Sequence, residues 1–146
     1  MKNERVREQI VMKIRYAEPA DATAIVSLTK AGFRQDLLNA MIYGCNGIVE
    51  FLERQISIPL EITDTVYIVA EHDDVVVGFV EFKIYSESIF LNYIGTSPQV
   101  RHKGLALKLF DHAVLMVRTK HHKRITLDVF SDNVVAKSWY ERLGFT

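Results

Sequence analysis

Apolar positions along the chain switch repeatedly between a period of two and a period of three to four, the mark of strands alternating with helices. Ile14 and Tyr16 alternate with Lys13 and Arg15 and predict a first strand. The charged stretch before it, 1–11, reads as an N-terminal extension to a domain of 12–146. Asp21 is placed to cap a helix in which Ala24, Ile25, Leu28 and Ala31 recur at helical spacing as far as Gly32. Leu37, Leu38, Met41 and Ile42, then Ile48, Phe51, Leu52 and Ile56, predict two short helices interrupted at "YGCNG". Two β-rich runs, 65–72 and 75–85, flank Asp73 and Asp74 and predict an antiparallel hairpin. A third run, 88–97, stops at Pro98.

Leu105, Leu109, Ala113 and Met116 mark one face of a helix, and Ile125, Leu127 and Val129 one face of a strand over 124–130. A last helix runs from near Ser131–Asn133 to Leu143, with Gly144 as its stop. Strand, helix and strand across 88–130 require a parallel pair joined by a right-handed crossover. The fold class is therefore α/β: a single mixed, mostly antiparallel sheet flanked by helices.

Composition narrows the function little. Hydrophobic residues make up 49% and charged residues 25% of 146, as in ordinary globular domains. Eighteen basic residues balance eighteen acidic ones, which argues against nucleic acid as a partner. Cys45 is the only cysteine, and with no histidine nearby it reads as a buried or loop thiol rather than a nucleophile. No apolar run approaches a membrane span, and "MKNERVREQI" lacks the apolar centre of a signal peptide. The expectation is a cytoplasmic protein with no membrane partner.

One stretch departs from the ordinary. "QVRHKGLALKLF" sets Arg101, His102 and Lys103 directly before Gly104, at the start of a helix where positive charge is disfavoured. A glycine turn that ends a strand and opens a helix aims several unpaired backbone N–H groups at one point. Such a turn holds an anion, with Arg101 and Lys103 at its rim; a solvated basic turn is the alternative. Neither of two familiar phosphate loops is present, because Gly104 is the only glycine of the turn.

"RHKGLA", residues 101–106, resembles the [QR]-x-x-G-x-[GA] pyrophosphate loop of the GNAT-type N-acetyltransferases. It follows a strand ending in Ser-Pro and precedes a long helix, as in that family. "SDNVVAKSWYERLGF" resembles the family's second signature, and "IRYAEPADATAI" its first strand and helix, so the resemblance covers roughly 12–146. It implies a GNAT-like acyl-CoA N-acyltransferase fold with acetyl-CoA as acetyl donor. The chain stops at "LGFT", where the family continues into at least one more strand, so the resemblance implies a sheet lacking its final strand or strands.

The implied chemistry is direct attack of an amine on the thioester, without an acyl-enzyme. The pyrophosphate would rest on backbone N–H groups of 102–106 (His102, Lys103, Gly104, Leu105 and Ala106), beside Arg101. The pantetheine arm would pair with main-chain atoms of Ile94, Gly95 and Thr96. Asn133 and Tyr140 lie seven residues apart, close to two turns of about 3.6 residues, and share a helix face. Asn133 would contact the pantetheine or cap its helix. Tyr140 would protonate the departing thiolate, or pack beside Trp139.

Glu81 is the candidate base. Its alternation places it with Val77, Phe79 and Lys83, and an ion pair with Lys83 on a solvated face is the alternative. Glu87, Asn92 and Asp128 are further candidates near the amine. His121 and His122 in "KHHKR" read as a solvated loop, and the reaction needs no metal. The acceptor, a small-molecule or peptide amine, would lie over 20–60. The sequence leaves room for a homodimer and for a non-catalytic acyl-CoA-binding or regulatory module.

Overall fold

In the computed structural model, which describes residues 12–32, 42–100, 104–129 and 133–146, five strands form one sheet. These are β1 (Lys13–Tyr16), β2 (Thr65–His72), β3 (Val75–Ile84), β4 (Ser88–Thr96) and β5 (Arg124–Leu127), ordered in the sheet as in the chain. Neighbours from β1 to β4 are antiparallel, and β4 pairs with β5 in parallel, as the crossover reading requires. Asp73 and Asp74 turn the β2–β3 hairpin with φ of 50° and 62°, the pair of positive values that a tight two-residue turn demands.

Among the described residues the helices that cover the two faces are α1 (Ala22–Gly32), α2 (Ile48–Ile56), α3 (Leu105–Val117) and α4 (Val134–Arg142). Helices α1 and α2 pack with Tyr43, Tyr67, Val69 and Phe79. Helix α3 packs on the opposite face, against Ile68, Val80, Phe82, Ile89 and Leu91. Phe79 and Phe82 are both fully buried, and each such side chain withdrawn from water contributes about 1.5–3 kcal/mol. Among the described residues no helix is long and apolar enough to cross a membrane.

Two bulges set the faces of the sheet. In β3, Ala70 pairs with Gly78 and Glu71 with Val76, so Val77 is an extra residue. Val77 consequently joins the α3-side core, while Phe79 lies on the α1 side, and the expected alternation of Val77 with Phe79 and Glu81 is broken. In β4, Glu81 pairs with Tyr93 and Phe82 with Leu91, which leaves Asn92 as the second extra residue. The pairing of β4 with β5 ends at Leu91↔Leu127, where that bulge interrupts the edge. The strand expected over 124–130 is shorter for this reason.

Asp21 does not cap α1. It closes a 3-10 turn, Pro19–Asp21, and its Oδ2 accepts the Glu18 N–H at 2.7 Å. Arg15 donates to both Asp21 oxygens, at 2.7 and 3.1 Å, and to Glu71 Oε1 at 2.9 Å, which ties β1, the turn and β2 together. The buried stripe of α1 is Ala22, Ile25, Val26, Leu28 and Thr29; Ala31 is exposed. Of the two short helices expected in 34–56, the second is α2, and the first falls outside the described residues apart from a 3-10 turn, Ile42–Gly44.

Candidate active site

The main chain of β4 supplies the first component. Its β3 side is bonded as far as Gly78↔Thr96, whereas pairing on the β5 side ends at Leu91 among the described residues. Asn92 to Thr96 thus present an open strand edge, and Ile94, Gly95 and Thr96 lie on it. A chain that carries amides can add to such an edge as another strand would.

That edge leads through Ser97 and a 3-10 turn, Pro98–Val100, to the start of α3. Gly104 occupies the N-cap with φ of 73°, a left-handed conformation that glycine adopts without a Cβ penalty. Among the described residues no side chain caps this helix, and its first internal bond there runs from the Lys108 N–H to the Gly104 carbonyl at 3.1 Å. The amides of Leu105, Ala106 and Leu107 are therefore the helix's unclaimed donors, at its positive end. Leu105 anchors the turn in the core, Ala106 is half-buried, and a Cβ placed on Gly104 would meet nothing within 4 Å. Arg101, His102 and Lys103 lie outside the described residues.

Helix α4 supplies the second component. Asn133 is its N-cap, and Oδ1 accepts the Ala136 N–H at 3.2 Å, which leaves the amide nitrogen free of the cap. Tyr140 packs edge-on to Trp139 and Phe145, with centroids 5.1 and 6.1 Å away, against the α3-side core. Burial pushes its phenol up, so it stays protonated well above neutrality. Its hydroxyl makes no hydrogen bond among the described residues. A cleft of about 810 Å³ lies along β5 and α4, lined in part by Phe110, Leu127, Lys137, Tyr140 and Phe145. Gly104 and residues 92–96 line no part of it, so Tyr140 borders the hollow while the strand edge and the helix start lie outside it.

Glu81 forms the third component, on the other face of the sheet. It is 7% exposed, in place of the solvated pairing with Lys83 that alternation allowed. Tyr43 donates its hydroxyl to Oε1 at 2.6 Å and Asn92 its amide to Oε2 at 2.8 Å. Tyr67 on β2 pairs directly across from Glu81, and Tyr93 faces it from β4. Burial raises the Glu81 carboxyl above its ordinary value; the two donors and, from farther off, Lys83 pull the other way.

The other candidates lie elsewhere. Glu87 sits on the β3–β4 turn, paired with Lys123 at 3.3 Å, and Asp128 is exposed beyond β5. His122 is engaged at both nitrogens: Nδ1 accepts the Thr119 N–H at 3.0 Å, so Nε2 donates to the Tyr85 carbonyl at 2.8 Å. Among the described residues no three His, Cys, Asp or Glu side chains gather as a metal-holding group. Cys45 is exposed rather than buried. Tyr43 is the residue that sequence reasoning missed; its only signal was an aromatic at the break "YGCNG".

Comparison with known proteins bears on the family and the fold. The sequence profile of the Acetyltransferase (GNAT) family matches residues 37–145. The chain is 36% identical over 80 residues to the 5-NmdU N-acetyltransferase of Pseudomonas phage PaMx11, a match covering 53% of this chain and 55% of that protein. It spans about half, or less, of the length of the curated relatives it matches. The paia N-acetyltransferase from Thermoplasma acidophilum, solved in complex with coenzyme A, has a TM-score of 0.76 at 21% identity, over 93% of this chain and 90% of that one. An aminoglycoside antibiotic 6'-N-acetyltransferase from Acinetobacter baumannii has a TM-score of 0.71 at 16% identity, over 93% and 91%. These two likenesses are likenesses of fold.

Proposed function

This chain belongs to the acetyltransferase (GNAT) family, and on that premise we propose that it moves an acetyl group from acetyl-CoA to a primary amine by direct attack. Within this chain we place that activity on the domain over 12–146. The observation that supports the reading most is the open edge of β4 running into an uncapped, glycine-led helix start. The edge at Ile94, Gly95 and Thr96 suits an amide-bearing arm. The amides of Leu105 and Ala106 suit a pyrophosphate, and Arg101, His102 and Lys103 precede them in the sequence.

Acetyl-CoA supplies the activated acetyl group; the chain supplies position and proton traffic. The attacking amine must be neutral, and Glu81, a carboxylate whose proton affinity burial has raised, takes its proton. Tyr140 remains protonated and donates to the departing thiolate. Asn133, with its amide nitrogen free of the cap, steadies the arm. Glu81 and Tyr140 lie on opposite faces of the sheet, and the point where β5 parts from β4 joins those faces.

The test is thiol release with acetyl-CoA and a panel of amines that includes 5-NmdU, for which the phage relative is named, and an aminoglycoside. Amine-dependent release of CoA is the expected result. Saturating CoA that leaves the melting temperature unchanged would remove the cofactor reading itself.

A further inference from the structure

Two buried carboxylates occur among the described residues, Asp21 and Glu81. Asp21 is answered by the Arg15 guanidinium. Glu81 has no cation in contact among the described residues; the groups that hold it, Tyr43 and Asn92, are neutral donors. A buried carboxylate without a cation favours its protonated form, so what keeps it available as a base is the hydrogen bonds it accepts.

Of the two donors, Tyr43 is the more tightly fixed. It is fully buried, edge-on to Tyr93 with centroids 4.8 Å apart at 87°, and tilted against Phe79 at 6.3 Å. Burial and the nearby carboxylate push its own phenol far up, so it never competes with Glu81 for ionisation. Among the described residues the titratable and charged groups facing Glu81 are Tyr43 from the 3-10 turn, Tyr67 from β2, Tyr93 from β4 and, along its own strand, Lys83.

We infer that Tyr43 is a positioning residue for Glu81, its hydroxyl holding the carboxylate in one orientation and ready to accept a proton. The inference rests on Glu81 being the base. It also gives the 3-10 turn a part in the reaction, through a residue 38 positions away in the chain.

The experiment is the kcat–pH profile of the full chain with an amine it acetylates. Tyr43→Phe keeps the ring and removes the donor. The acidic limb should move up by about one pH unit, with KM for acetyl-CoA unchanged and the rate recovered at alkaline pH. Fluorotyrosine at position 43, a stronger donor of nearly the same shape, should move the limb the other way, and it keeps the test alive if Tyr43→Phe fails to fold. Asn92→Leu should move it upward. An acidic limb unmoved by either change at position 43 overturns the role given to Tyr43. Glu81→Gln separates the two readings: a wild-type profile from it overturns Glu81 as base, whereas loss of its activity together with an unmoved Tyr43→Phe limb overturns the Tyr43 role alone.

Discussion

Gly95 lies flat against the ring of its cross-strand partner Phe79: a β-carbon on Gly95 would meet Phe79 Cε1 at 2.9 Å. Phe79 is fully buried and has no free space to swing into. Gly95→Ala should therefore strain the open stretch of β4 and destabilise the fold by about 1–3 kcal/mol. Thermal unfolding measures this, and pairing the change with Phe79→Leu should restore part of the loss. Additive losses in the double variant would count against the contact.

Gly104 presents the opposite case. Space is open around it, and only its φ of 73° demands glycine. Gly104→Ala should cost stability by about 1 kcal/mol through backbone strain. Its effect on CoA affinity should be larger, about tenfold or more, because the cost would fall on the turn proposed to hold the pyrophosphate. Calorimetric titration beside a melting curve separates the two, and equal small effects on both would speak against the cradle.

Tyr140→Phe removes a hydroxyl that makes no hydrogen bond among the described residues, so the melting temperature should hold. Loss of a general acid should lower kcat by about a hundredfold or more while KM for acetyl-CoA changes little. Parallel losses in both would assign Tyr140 to binding or packing.

The Arg15 network predicts how the fold responds to acid. Burial alone would raise the Asp21 carboxyl, but the bonds from Arg15 and the Glu18 N–H outweigh it and bring it below 3.8; the Arg15 bond brings Glu71 below 4.5. Carboxyls that hold protons less tightly when folded add stability that is complete above those ordinary values. It is lost as pH falls below them. Urea midpoints measured downward from neutrality should decline over that window, and Arg15→Met should flatten the decline. Glu71 is solvent-facing, so Asp21 should account for most of the effect.

Features with a local cause could be read from the sequence. The β2–β3 hairpin, the stripe of α3, the N-cap at Asn133 and the stop at Gly144 each depend on a few neighbouring residues, and the structure has all four. The bulges could not be read, because one extra residue leaves no trace in an apolar run such as "VVVGFVEF". That is why simple alternation groups Glu81 with Val77 and leaves a solvated pairing with Lys83 open beside its reading as the base. Asp21 was given to α1 because its partner, Arg15, lies six residues back on a strand. The bond between Tyr43 and Glu81 spans 38 residues, so nothing local to either position announces it.

The two halves of the proposed site differ in how much chain they draw on. The strand edge and the helix start come from one continuous stretch of the sequence, 92–107. The proton-accepting half is gathered from positions 43, 81 and 92, on three separate elements. The first half can therefore persist as a unit while the segment around 42–47 is exchanged or lengthened. A scaffold divided in this way can keep its donor half while its acceptor side varies, provided Tyr43 stays against Glu81, so redesign toward a new amine should spare both that residue and β4.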